Sequence, residues 1–161
     1  MNNCKVNQFV HTRYKVKMTV TDLDMIMHKK SKNHIRIVES KYPTEKENKT
    51  QDDVLYEIAK IFQFAINNGY KNINGIPKLE VLKVISTPKK ICTVPHHYLN
   101  KEQDVYDIDN FKTINYLTKE EIEYNKQEEI DEFFLMEKSE QDNYHAGYKS
   151  YYPNKQIEID F

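Results

Sequence analysis

The chain has 161 residues, 39% of them hydrophobic and 30% charged, with a formal net charge of −1 at neutral pH. That length suits one domain with a core of its own, and no apolar run approaches the roughly 18–20 residues that a membrane-spanning helix needs. The isolated Cys4 and Cys92, with no CxxC pairing, fit a reducing cytosol better than a disulfide framework.

The near-neutral total hides a lopsided distribution. Residues 1–95 carry 17 Lys and Arg against 9 Asp and Glu, whereas residues 96–161 carry 7 against 16. A basic first part suits contact with a phosphate backbone, because each neutralised phosphate releases condensed counterions. The acidic part would repel nucleic acid unless it lies on another face or binds the basic part. The first residues lack the basic start and apolar core of an export signal, which points to a cytoplasmic location.

In chain order, residues 1–14 are polar with a few apolar positions and suit a short helix or an extended arm. Residues 14–28 and 34–42 read as two neighbouring strands joined by a short polar turn. In the second strand Ile35, Ile37 and Glu39 point one way and Arg36, Val38 and Ser40 the other, so both faces are partly buried. Tyr42-Pro43 ends it, since proline donates no ladder hydrogen bond. After a charged loop, Thr50 and Asp53 have the spacing of a capping box. Val54, Leu55, Ile58, Ile61, Phe62, Ala65 and Ile66 follow at helical spacing, and Asn68-Gly69 stops the helix. Residues 79–86 read as a buried strand ended by Thr87-Pro88, and a strand–helix–strand series implies parallel pairing. Residues 91–94 form a short strand before Pro95.

Beyond Pro95 the composition changes. Residues 96–117 read as loop, Thr118 with Glu121 as a second capping box, and residues 119–138 as an amphipathic helix through Ile122, Ile130, Phe133, Phe134 and Met136. The tail is polar and rich in tyrosine, with a short strand expected over 156–161. Residues 96–161 are therefore expected to wrap the first part as an extension, within one domain overall, or to form a homodimer contact.

The chemistry lies in the first two strands. Glu39 and Lys41 are two residues apart and leave the same face. Closing the hairpin places Asp24 or Asp22 beside Glu39. Two carboxylates and one ammonium then converge where a divalent cation fits, which is equipment for hydrolysing a phosphodiester. The competing reading is a surface ion pair on an edge strand. Against it, a charge within an apolar strand is costly unless paired or metal-bound.

Asp22-Leu23-Asp24-Met25-Ile26 followed by Ile35-Arg36-Ile37-Val38-Glu39-Ser40-Lys41-Tyr42 resembles the PD-(D/E)XK nuclease superfamily. The likeness is to its small phage-encoded and Holliday-junction-resolvase-like members, and it covers roughly residues 14–90. It implies an α/β (α+β) restriction-endonuclease-like core: a mixed sheet with flanking helices, over residues 1–95. It also implies that Asp24 is the motif aspartate, Glu39 the variable acidic position and Lys41 the lysine. Asp22 shares Asp24's parity and would assist or substitute for it. Gln51 and Tyr56 match the glutamine and tyrosine of the RecB-like branch, at an interval one residue longer. No acidic residue precedes Asp22, so an acid from an N-terminal helix is missing from the pattern.

The implied cofactor is Mg²⁺ or Mn²⁺, hard cations that take oxygen ligands. The implied partner is DNA, held by Lys29, Lys30, Lys32, Arg36, Lys89 and Lys90, and the implied source is a phage or mobile element. Other readings remain beside it: an inactive relative that keeps the fold, or an acidic protein whose residues 120–142 mimic nucleic acid. His96-His97 with Cys92 and Cys4 lacks the ligand spacing of a zinc site. Asp107 and Asp109 lack the glycine and terminal glutamate of a calcium loop.

Overall fold

The computed structural model describes residues 8–9, 12–13, 23–96 and 100–137. Its strands are β1 (Met25–Lys29), β2 (His34–Lys41), β3 (Lys78–Ser86), β4 (Lys89–Pro95), β5 (Glu102–Asp107), β6 (Phe111–Asn115) and β7 (Glu121–Tyr124). The helices are α1 (Lys49–Asn67) and α2 (Gln127–Leu135), with a single 3₁₀ turn at Lys30–Lys32. Gln8, Phe9, Thr12 and Arg13 also have helical backbone. Asp22, most of the expected first strand, His97 and the tail tyrosines lie outside the described residues.

Five strands form a mixed sheet in the order β1-β2-β3-β6-β7, and β4 and β5 pair as a separate ribbon. β1 is antiparallel to β2, β2 is parallel to β3, and β6 and β7 continue antiparallel. The β1–β2 turn closes on Asn33, whose φ of 49° is left-handed backbone that asparagine tolerates better than most residues. The parallel pair is joined through α1, as the strand–helix–strand pattern requires.

Both faces of the central strands are covered. On one face Ile37 and Val81 pack with Leu55 and Ala59 of α1 and with Tyr116. On the other, Val38, Leu82, Val84 and Phe111 pack with Ile130 and Phe133 of α2. Full burial of a side chain such as Leu55 stabilises by about 1.5–3 kcal/mol. Phe111 stacks on Tyr124 with ring centroids 4.6 Å apart. Strands and helix from beyond residue 95 thus complete a core begun by β2 and β3.

Three sequence expectations are corrected. The N-cap of α1 is Asn48, not Thr50: its side chain accepts from the Gln51 N–H at 3.1 Å. Residues 96–117 are not loop throughout, since β5 and β6 lie within them. The helix expected over 119–138 is divided, its first part being strand β7 and only Gln127–Leu135 being helical. Asn115 explains the difference. Its side chain accepts from the Leu117 and Thr118 N–H groups at 2.9 and 3.1 Å, turning the chain so that residues 121–124 pair back on β6. No helix among the described residues is long and apolar enough to cross a membrane.

Candidate active site

The site forms where the C-terminal ends of the parallel strands β2 and β3 meet the first turn of α1, the position at which open α/β sheets bind ligands. Glu39 lies near the end of β2 on the face that carries Ile37, and it is buried, with 4% of its surface exposed. The antiparallel register ends at Met25 opposite Val38, so the next step outward brings Asp24 beside Glu39. Asp24 is anchored there because its Oδ2 accepts the Ser40 N–H at 2.8 Å. Lys41 Nζ sits 3.8 Å from Glu39 Oε1 and 3.6 Å from Glu45 Oε2. The structure therefore brings Asp24, Glu39 and Lys41 together.

Burial raises the Glu39 carboxyl to about 7, and the negative charge of Asp24 adds to the shift. The Lys41 ammonium and a hydrogen bond from the Gln51 side chain oppose it without cancelling it. Glu39 Oε2 and Gln51 Oε1 are both buried without a hydrogen-bond partner. Leaving such an atom unsatisfied costs about 1–3 kcal/mol, and more for a charged group. A proton or a cation relieves that cost at Glu39.

The donor set is all oxygen, from the carboxylates of Asp24 and Glu39 and the amide of Gln51. That chemistry suits hard cations such as Mg²⁺ or Mn²⁺. Among the described residues no group of three His, Cys, Asp or Glu side chains is placed to hold a metal, so the set rests on two acids and an amide.

Gln51 joins the site from α1, but Tyr56 is differently engaged: the Lys60 and Lys119 ammonium groups face its ring at 4.7 and 4.5 Å. The sequence reading missed a second cluster beside Glu39. Lys83 is the β3 partner of Glu39 in the parallel register. Its Nζ lies 3.1 and 3.2 Å from the two oxygens of Asp52, on the first turn of α1. Tyr116 donates its hydroxyl to Asp52 Oδ1 at 3.0 Å. Burial, then Asp52, Glu39 and Asp24, all hold the Tyr116 hydroxyl protonated by pushing its pKa up. The available signal was Lys83 itself, a charge inside the apolar run of β3.

The residues expected to hold a nucleic-acid backbone are scattered. Lys30 and Lys32 are exposed in the β1–β2 turn, at the far end of β2 and roughly 17–20 Å along the strand from Glu39. Lys29 pairs with Glu137 at 2.9 Å, Lys89 with Asp109 at 2.6 Å and Lys90 with Asp104 at 3.1 Å. Arg36 requires correction, because it is 6% exposed and turned inward. Its guanidinium donates to the Phe133 carbonyl at 2.6 Å and to Glu80 at 3.1 Å, and it lies 4.0 Å from the centre of the Phe133 ring. It is a structural cation and is not available to a phosphate backbone.

Comparison of the chain with known protein families, curated proteins and solved structures finds no match.

Proposed function

We propose that this protein is a metal-dependent nuclease that hydrolyses DNA phosphodiester bonds, on a core of restriction-endonuclease type. The observation that carries the reading is the convergence of Asp24, Glu39, Lys41 and Gln51, with a buried carboxylate oxygen of Glu39 left without a partner. The order of an aspartate leading into a hairpin strand, a strand with Glu-x-Lys, a helix and a parallel strand agrees with the resemblance to the PD-(D/E)XK superfamily.

In this reading Asp24 and Glu39 hold Mg²⁺ or Mn²⁺, and Gln51 supports Glu39. When bound, the ion supplies Lewis-acid stabilisation of negative charge on the phosphoryl group and an activated water. Lys41 stands beside the same carboxylate, placed to orient the attacking water and, as an ammonium, to stabilise developing charge. Anchoring Asp24 on the Ser40 N–H fixes one wall of the site, so the carboxylates need little rearrangement.

The test is to incubate the full chain with single-stranded, duplex and branched DNA in Mg²⁺, Mn²⁺ or EDTA, beside Glu39→Ala and Lys41→Ala. Cleavage that needs the metal and falls at least ~100-fold in both variants is expected. Binding that persists in EDTA without any cleavage would instead favour the inactive relative.

A further inference from the structure

We propose that Lys83 is a second phosphate-contacting cation of this site, held in place by Asp52 and Tyr116, so that a phosphodiester is gripped between Lys41 on β2 and Lys83 on β3. The inference rests on the nuclease reading and deepens it by adding a substrate-binding residue.

Three observations carry it. Register comes first: Glu39 and Lys83 are direct partners across the parallel β2–β3 pair, on strands about 4.8 Å apart. The contact of Lys83 with Asp52 of α1 places its side chain on the α1 face of the sheet, where Glu39 also lies. Accessibility is the second. The Lys83 side chain is 12% exposed and that of Lys41 15%, so neither is fully covered.

Hydrogen-bond capacity is the third. An ammonium has three donors, and on Lys83 at most two are taken up by Asp52: one hydrogen bond reaches Oδ2 at 3.2 Å, and Oδ1 lies 3.1 Å away as an ion-pair contact. A remaining donor can reach an anion while Asp52 keeps the group in place. Tyr116, donating to the same carboxylate from the end of β6, fixes Asp52 in turn. Asp52 and Tyr116 are therefore positioning residues and need not touch substrate. A purely structural trio would tie α1 to β3 equally well, so the test needs a readout that such a tie does not move.

Ca²⁺ replaces Mg²⁺ in that test, so that a fluorescein-labelled oligonucleotide binds with hydrolysis suppressed. Anisotropy titrations over a range of salt concentrations compare the parent with Lys83→Met, Lys83→Gln and Lys83→Arg. Calorimetric Mn²⁺ titration and thermal melts are run on each protein. Lys83→Met and Lys83→Gln are expected to weaken DNA binding about tenfold and to lower the salt slope by about one. Lys83→Arg keeps the charge and stays within about threefold of the parent, and Mn²⁺ affinity is unchanged throughout.

Unchanged DNA affinity and salt slope in a folded Met or Gln variant would overturn the proposal while leaving the metal site standing. So would a chain that cannot fold even with the polar Gln at 83, because the lysine would then be structural. If instead the parent and Glu39→Ala bind Mn²⁺ alike, the nuclease reading fails and takes the Lys83 assignment with it.

Discussion

Glu39 is held by opposing forces at a single carboxyl. Burial and Asp24 disfavour its charge, Lys41 and Gln51 favour it, and the balance leaves it near pH 7 in the absence of metal. The sign of the consequence follows from the direction of the shift. The folded-state value lies above the ordinary 4.5, so folding binds a proton between about pH 4.5 and 7. Stability from this group is fully present below that range and is lost as pH rises through about 7. In EDTA, the parent should therefore lose stability relative to Glu39→Gln between pH 5 and 8, by on the order of 2 kcal/mol. Thermal melts across that range check it, and parallel pH profiles for the two proteins would contradict it. Added Mn²⁺ should narrow the gap, because the cation stabilises the ionised carboxylate that the fold alone penalises. The importance of Glu39 was legible in the sequence, since a charge after Ile35-Arg36-Ile37-Val38 needs a partner. Lys83 was only half legible: a charge inside the apolar run of β3 marks it, but only the parallel register places it beside Glu39.

Strands and helices differ in how openly their sequences declared them. The apolar runs of β2 and β3, closed by Pro43 and Pro88, and the one-sided pattern of α1 are local signals, and all three elements are present. β6 and β7 were hidden because their pairing depends on a turn organised by Asn115, while Ile122, Ile130 and Phe133 lie near helical spacing by coincidence. Arg36 misled for a related reason. Its alternation with Ile35 and Ile37 showed a second face of β2, but not that α2 would cover that face. The guanidinium links β2, Glu80 of β3 and the Phe133 carbonyl of α2. Glu80 also meets His34 at 2.6 Å. Burial lowers the His34 pKa, so that contact is a hydrogen bond from a neutral imidazole at pH 7. Arg36→Met should leave Glu80 poorly compensated and cost about 3–5 kcal/mol in urea denaturation. Lys30→Ala and Lys32→Ala, on an exposed turn, should stay within about 0.5 kcal/mol of the parent.

Across the whole molecule, part of the charge asymmetry is resolved internally. Lys29, Lys89 and Lys90 each meet an acidic residue from beyond residue 96. Contact with a polyanion would have to compete with those pairs, which places more of the binding on the site itself than the sequence suggested. The same interdependence governs folding. Val38, Leu82 and Val84 are covered by Phe111, Ile130 and Phe133, so the first 95 residues alone expose one face of their sheet. A 1–95 fragment should show no cooperative thermal transition by circular dichroism, whereas the full chain should show one. The central claim remains that Asp24 and Glu39 together hold a divalent cation. Anomalous diffraction from a Mn²⁺-soaked crystal of the full chain tests it most directly. The expected result is a peak between the two carboxylates, at roughly 2.0–2.6 Å from an oxygen of each. A crystal saturated with Mn²⁺ that shows no peak there, with Glu39 still turned to Lys41, would contradict it.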